Sequence, residues 1–176
     1  MKAAQINTYG EADIIEIKDI PVPTPGKGQV LVDVHAAAIN PFDWKVRKGY
    51  MKEQIPLTFP VTIGGDFSGL VTQVGEGVSE YAVGDEIFGT ALMLTGASGA
   101  LADSATTNVG SSARKPTSVD HIHAGATVLV GASAVQALEE HINHQSGQRI
   151  LIHGGAGGIG STAIQIAKSK GAYVAA

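Results

Sequence analysis

The last part of the chain carries the pattern that most constrains its fold. An apolar run at 149–153 leads into a glycine cluster at 154–160, and a segment of helical period follows at once. Gly171 ends that segment, and a second apolar run begins at Ala172. Strand, glycine turn, helix and strand in this order form the unit that holds a dinucleotide. The pattern therefore predicts the start of a nucleotide-binding fold between 149 and 176.

Three glycines in that turn match a dinucleotide-binding fingerprint. Gly155, Gly157 and Gly160 fit G-x-G-x-x-G. Glycines let the backbone turn tightly and approach a pyrophosphate, and the following helix offers free N–H groups and a partial positive charge. We predict that the turn binds a cofactor; the alternative is a tight strand–helix turn without a ligand. The acid that holds the adenosine ribose is expected about 20 residues further on. Glu140 is the last acid in the chain, so we expect a nucleotide fold that is started and not finished.

Composition argues against several classes of function. The 176 residues carry a formal net charge of −4 and no basic cluster, so neither nucleic acid nor an anionic membrane is an expected partner. The absence of cysteine removes disulfides, thiolate catalysis and cysteine zinc sites. Neither a signal-peptide core nor an apolar run long enough to span a bilayer occurs. We expect a soluble, cytoplasmic protein.

The chain up to about residue 90 has the pattern of a β-rich domain. Its strand candidates are apolar or alternating runs, at 2–7, 14–20, 30–36, 66–74 and 86–89. Glycine turns separate them, so a small barrel or sandwich is predicted. Residues 95–113, rich in Gly, Ala, Ser and Thr, are predicted to form an irregular loop.

The pattern changes after Lys115-Pro116, where helix and strand begin to alternate. A helix is predicted at 131–142, with one apolar face made by Val135, Leu138 and Ile142. The helix after the glycine turn has its own apolar face, made by Ile159, Ala163, Ile166 and Ala167. Alternation of this kind predicts a parallel sheet with crossover helices.

Polar side chains outside the glycine turn are further candidates for a site. Asn40 and Asp43 follow a predicted strand and could orient a ribose or a carboxamide by hydrogen bonds, although Asn-Pro alone also starts a turn. Asp66 stands at the glycine-rich entrance of a strand, where a structural role is the favoured reading. Tyr50 could donate a proton or stack on a flat substrate, or it could be a half-buried loop residue.

The histidines do not predict a metal centre. His121 and His123 lie two positions apart, and His141 and His144 lie three apart. No cysteine and no H-E-x-x-H spacing accompanies them. We therefore predict no metal site.

Several segments together carry a family resemblance. The most specific are Ala38-Ile39-Asn40-Pro41-x-Asp43, Gly64-x-Asp66-x-x-Gly69, Val83-Gly84-Asp85 and the run at 154–165, with further matches at 1–3 and 25–32. In this order and spacing the chain resembles the medium-chain dehydrogenase/reductase superfamily, in its zinc-independent quinone oxidoreductase (zeta-crystallin-like) branch. The resemblance covers almost the whole chain.

The resemblance implies a fold. It is a GroES-like β-barrel domain of α+β type at 1–120, followed by the start of an α/β Rossmann domain at 121–176, with the cofactor in the cleft between them. Family members run to roughly twice this length. The chain is therefore expected to be an incomplete piece of such an enzyme, or a truncated product.

Roles for individual residues follow from the same resemblance. Asn40 and Asp43 would lie near the nicotinamide, and Tyr50 is added to them as a catalytic candidate for its own chemistry. Ser133 keeps the hydroxyl of a family threonine that contacts the cofactor. The residues that would hold the pyrophosphate are Gly155, Ala156, Gly157, Gly158, Ile159 and Gly160. NADPH is the expected cofactor, and NAD is not excluded.

The implied chemistry depends on two positions. Zinc-dependent members of the superfamily carry Cys where Asn40 stands and His where Gly65 stands. Without zinc an aliphatic alkoxide has no stabiliser, whereas a quinone or an enone spreads the incoming charge onto an oxygen that hydrogen bonds can stabilise.

The expected activity is therefore NAD(P)H-dependent hydride transfer to a quinone or conjugated enone. The alternatives are an inactive fragment and a non-catalytic NADPH-binding protein. The full-length parent is expected to be a homo-oligomer.

Overall fold

Alternating apolar residues build the sheets of the N-terminal part of the chain. The computed structural model describes all residues, 1–176, which divide into one unit at 1–126 and another at 127–176. The strands of the first unit are β1 (Lys2–Ile6), β2 (Glu16–Asp19), β3 (Gln29–Ala38), β4 (Val61–Thr62), β5 (Asp66–Val74), β6 (Glu86–Thr90), β7 (Ser104–Asn108) and β8 (Ser112–Arg114). One helix, α1 (Pro41–Arg47), follows β3.

Two antiparallel sheets hold these strands. The larger has the order β7-β3-β5-β6-β8, and the smaller has the order β2-β1-β4. Val30, Leu31 and Val32 of β3 are all buried, whereas Asp33 and His35 further along the strand are exposed, so the predicted alternation holds only beyond Val32. Burial of such side chains stabilises a domain by about 25 cal/mol per Å² of apolar surface. The core of this unit includes buried side chains from three strands of the larger sheet: Val30 and Val32 of β3, Phe67 and Val71 of β5, and Ile87 of β6.

The predicted strands at 66–74 and 86–89 are confirmed by β5 and β6. The strand predicted at 14–20 is shorter, because a 3₁₀ turn at Ala12–Ile14 precedes β2. These differences lie at element ends, where local pattern is least informative.

The irregular loop predicted at 95–113 is correct at 96–103 but wrong beyond it. The later part contains β7, which pairs with β3 from Gln29↔Asn108 to Asp33↔Ser104, and the start of β8. Ser104 and Thr107 are buried because their hydroxyls have partners: Ser104 Oγ donates to Asp33 Oδ1 at 3.0 Å, and Thr107 Oγ1 donates to the carbonyl oxygen of Thr90 at 2.6 Å. A polar strand can be buried when its side chains are satisfied in this way.

The second unit contains the predicted alternation of helix and strand. A long helix, α2 (His121–Val135), begins before residue 127 and continues as a wider π-helical turn at Gln136–His141. The elements that follow are β9 (Arg149–Leu151), α3 (Gly158–Ser169) and β10 (Tyr173–Ala175). The two strands pair in parallel, with Ile150 opposite Val174. The core of this unit is small, and its buried members are Ala134, Leu138, Ala163 and Ala167. No helix in the chain combines the length and the apolar character needed to cross a membrane.

The predictions from apolar periodicity were partly wrong for the helices α2 and α3. The helix begins at His121 rather than at residue 131, and Asp120 Oδ1 accepts the N–H of His123 at 2.8 Å as an N-cap. The π-helical turn then breaks the predicted face, so Leu138 is buried whereas Val135 and Ile142 are exposed. In α3, Ala163 and Ala167 are buried as predicted, but Ile159 in the first turn is exposed. The domain boundary expected after residue 120 stays a prediction.

One polar side chain in the second unit is buried without a partner. His144 is only 8% exposed, and neither of its ring nitrogens has a hydrogen-bond partner. Leaving a buried polar group unsatisfied costs about 1–3 kcal/mol. Its backbone N–H is satisfied by the carbonyl oxygen of Leu138 at 2.8 Å, so the penalty belongs to the ring alone.

We expect His144→Leu to raise the free energy of unfolding of this unit by about 1 kcal/mol, because it removes two unpaired polar atoms at similar volume. Urea denaturation followed by far-UV circular dichroism measures the change. His141→Leu is the matched control, since His141 is exposed, and it should give no gain. A loss of stability in the His144 variant would contradict this account.

Candidate functional site

The start of α1 organises the first candidate site. Asn40 is the N-cap residue and Pro41 occupies the first helical position, where proline is favoured. The N–H of Asn40 donates to Asp43 Oδ2 at 2.6 Å, and the N–H of Asp43 donates to the carbonyl oxygen of Asn40 at 3.0 Å. The Asn-Pro segment is therefore the capped start of a helix, and it fixes the position of both candidate side chains.

Asp66 joins these two residues from a different element. Asn40 Nδ2 donates to Asp66 Oδ2 at 2.8 Å, and Asp66, the first residue of β5, is 3% exposed. A Cβ at the preceding Gly65 would lie 3.8 Å from Asp43 Oδ1 and 2.9 Å from a methyl group of Leu92. The structure thus brings Asn40, Asp43, Gly65 and Asp66 to one place, and Asp66 has a larger part in it than its sequence context indicates.

The electrostatics of this cluster raise the pKa of Asp43. Burial of the carboxyl is the main cause, and the nearby Asp66 carboxylate adds to it. The hydrogen bond from the N–H of Asn40 acts in the opposite direction and lowers the pKa. The balance leaves a carboxyl group that holds its proton to a higher pH than an ordinary aspartate.

A small cleft opens beside Asp43. It is lined by Phe42, Asp43, Val46, Ile63, Gly64, Leu92 and Met93. A wider groove of about 380 Å³ lies along β1, β3 and residues 100–103, but neither Asn40 nor Asp43 lines it. Because the cleft contains the perturbed carboxyl and the groove does not, the cleft is the better candidate for chemistry despite its size.

Tyr50 lies apart from this cleft. Its side chain is 66% exposed and packs edge-to-face against Trp44, with ring centroids 5.5 Å apart. Tyr50 is therefore a loop residue, as the alternative stated, but it is exposed rather than half-buried. The exposed phenol is available to a ligand that approaches α1 from solvent.

The second candidate site is the glycine turn, where two glycines have structural tasks. A Cβ at Gly160 would lie 2.2 Å from the carbonyl oxygen of Gly154, so only glycine fits there. A Cβ at Gly155 would lie 2.7 Å from the Cβ of Ala176 and 2.9 Å from a methyl carbon of Ile164. Gly160 therefore closes the turn, and Gly155 allows β10 and α3 to pack closely.

Gly157 is less restricted, because only one atom lies near the place that a side chain would occupy. A Cβ there would meet only the carbonyl oxygen of Gly154, at 3.3 Å, and its φ of −79° is accessible to any residue. The α3 helix begins directly after it, at Gly158, with no side-chain cap and no acid in its first turn. The N–H groups of Gly158, Ile159 and Gly160 are therefore free of helical partners and suited to an anion.

The remaining candidates lie on α2. Ser133 is partly exposed beside the buried Ala134. His121, at the start of the helix, has Nδ1 2.8 Å from Ser68 Oγ and Nε2 3.2 Å from Glu86 Oε1. No three residues among His, Cys, Asp and Glu are grouped as a metal site would require.

Comparison with known proteins relates the chain to one family and to several relatives. The family described as "Alcohol dehydrogenase GroES-like domain" matches residues 26–115. The "Chloroplast envelope quinone oxidoreductase homolog" of Arabidopsis thaliana is 34% identical over 100% of this chain and 55% of its own length. The "2-methylene-furan-3-one reductase" of Solanum lycopersicum is 37% identical over 96% of this chain and 44% of its own length.

The fold of the chain is also similar to that of a solved structure. A mycobacterial protein complexed with NADPH superposes with a TM-score of 0.86 at 30% identity, over 99% of this chain and 52% of that one. The chain therefore spans about half the length of the relatives that it matches.

The raised pKa of Asp43 leads to a prediction about Asp43→Asn. The folded chain keeps this proton to a higher pH than the unfolded chain does, so the contribution of Asp43 to the free energy of unfolding falls as pH rises through the acid range. Asparagine does not titrate, yet its carbonyl oxygen can still accept the N–H of Asn40. The stability of the variant relative to wild type should therefore increase as pH rises, and then level off.

Urea denaturation at a series of acidic pH values measures this difference. Asp43→Ala should show the same pH slope with a constant loss of about 1 kcal/mol, because it also removes the cap. Parallel curves for wild type and Asp43→Asn would show that the carboxyl is not perturbed by the fold.

Proposed function

The chain belongs to the medium-chain dehydrogenase/reductase superfamily, on its quinone oxidoreductase branch, and we propose that it binds NADPH through the turn at 154–160 as part of a quinone or enone reductase. The observation that carries this proposal is the open face of Gly157 beside the uncapped start of α3. The NADPH complex of the mycobacterial relative supports the choice of nucleotide. The two plant relatives, one named for quinones and one for an unsaturated ketone, support the choice of acceptor.

The residues of the turn fit the phosphates of a dinucleotide. Gly157 leaves room for a close approach, and no carboxylate in the first turn of α3 opposes an anion. Together with the positive end of the helix dipole, the N–H groups after Gly157 can bind the pyrophosphate. Ser133 is proposed as a further cofactor contact through its hydroxyl.

At the other site, the chain's own residues would position the reacting groups. A bound nicotinamide cofactor supplies the hydride. The Asn40 amide nitrogen donates to Asp66, which fixes the orientation of the amide, and the second lone pair of its side-chain oxygen would accept a hydrogen bond from a carboxamide or a ribose hydroxyl. Asp43 fixes the backbone of Asn40, so we propose a positioning role for it in addition to its place in the cleft. Tyr50 or solvent would deliver the proton to the oxygen of the reduced acceptor.

We further propose that this chemistry does not use zinc. The chain has no cysteine, Gly65 brings no side chain to the site, and the Asn40 amide nitrogen is already hydrogen-bonded to Asp66. These residues cannot supply the usual thiolate and imidazole ligands. Acceptors that stabilise their own negative charge are therefore the suitable substrates. The cytoplasmic location and the homo-oligomeric state stay predictions.

Two glycine variants separate ligand binding from folding. We expect Gly157→Val to weaken NADPH binding by at least about tenfold while it leaves the chain folded, because its side chain fills the space that the pyrophosphate needs. Gly160→Ala should instead destabilise the 127–176 unit, because its Cβ would meet a backbone oxygen at 2.2 Å. Titration by NADPH fluorescence and urea denaturation measure the two effects. If Gly157→Val binds as tightly as wild type, the turn has a structural role only.

An activity assay decides between the enzyme and its alternatives. We expect NADPH to be oxidised in the presence of a soluble quinone or enone, with no oxidation of ethanol by NADP⁺ and no stoichiometric zinc by elemental analysis. Binding without turnover would favour a non-catalytic NADPH-binding protein, and neither binding nor turnover would favour an inactive chain. Ethanol oxidation together with bound zinc would contradict the metal-free chemistry.

A further inference from the structure

An aromatic pair stands exposed where α1 ends, with Trp44 in the helix and Tyr50 in the turn that follows it. Trp44, the only tryptophan in the chain, is 38% exposed, and Tyr50 is 66% exposed. Their rings meet edge-to-face at 5.5 Å with an interplanar angle of 79°. This geometry holds the two rings at right angles and leaves much of the Tyr50 ring open to solvent.

Two ammonium groups lie over the same tryptophan. Lys45 Nζ and Lys48 Nζ are each 5.7 Å from the centroid of the Trp44 ring. Lys48 also pairs with Glu11 at 2.8 Å, which balances its charge. Lys45 has no carboxylate partner, so it is the uncompensated cation of this surface.

The exposed aromatic rings and the unpaired ammonium group together favour one class of ligand. An aromatic face attracts flat conjugated molecules, and an unpaired ammonium attracts an anion by a charge-assisted hydrogen bond. A cation–π contact alone stabilises an exposed pair by only about 0.5–1 kcal/mol.

We propose that Trp44, Tyr50 and Lys45 form a contact surface for the acceptor, and that this surface selects flat conjugated carbonyl compounds carrying an anionic group. The ring of such a compound packs on Tyr50 beside Trp44, and its sulfonate or carboxylate is bound by Lys45. The identity of the ligand as an acceptor rests on the proposed function; its binding to this surface does not. Lys45 is then the residue that determines specificity for charge.

The position of Trp44 provides a direct measurement. Because it is the only tryptophan, intrinsic fluorescence reports on this surface alone. Anthraquinone-2-sulfonate and the neutral 2-(hydroxymethyl)anthraquinone are titrated into the 176-residue chain, with free N-acetyltryptophanamide as the correction for absorbance and collisional quenching. We expect the sulfonate to bind about tenfold more tightly at low salt, and to lose this advantage as salt is added.

Matched variants assign the preference to its residue. Lys45→Gln should remove the advantage of the sulfonate and leave the neutral compound unaffected, whereas Lys27→Gln, at an exposed lysine elsewhere in the unit, should leave both affinities unchanged. Tyr50→Leu should weaken both compounds. Equal affinities in the wild type, or a preference that survives Lys45→Gln, would overturn the proposal. NADPH titration at the glycine turn is a separate measurement, so failure of the proposed function would be recognised independently.

Discussion

The first unit depends on the hydrogen bond between the Asn40 amide and the Asp66 carboxylate. It joins the residue that caps α1 to the first residue of β5, a strand that pairs on both sides in the larger sheet. A buried carboxylate without such partners would be costly, so the start of β5 and the start of α1 are held at one place.

This arrangement has an electrostatic consequence. The two carboxyl groups of Asp43 and Asp66 approach each other in a partly buried space, and the pKa of Asp43 rises. The fold tolerates this because Asp43 accepts the N–H of Asn40, and because Asp66 accepts its amide. A network that satisfies polar groups can thus also keep a perturbed acid, which is the property expected of a functional site.

Local patterns predicted most of the fold, and the failures have physical reasons. The strand at 66–74 was predictable from its apolar run and the glycine turn at 75–77 that closes it, although its first four residues are all buried rather than alternately buried. In contrast, β7 was not predictable, because Ser104 and Thr107 have no apolar signal and are buried by hydroxyl hydrogen bonds. The helix start at His121 depends on a single cap at Asp120. Asn40 and Asp66 were separately visible, but their contact spans 26 positions, and no local pattern predicts it.

The glycine turn, too, was only partly predictable from the sequence. The motif and its helix could be predicted because the whole unit is contiguous, yet the sequence treats its glycines alike. Only the backbone shows that Gly160 is needed by the fold, since a Cβ would meet the Gly154 oxygen at 2.2 Å, while Gly157 has an ordinary φ of −79° and an open face. Because the fold does not require glycine at position 157, a ligand that needs this space can be the reason for it. Substitution can therefore separate the role of Gly160 in the fold from the proposed role of Gly157 in ligand binding. For this reason the function is inferred from this turn and not from the wider groove.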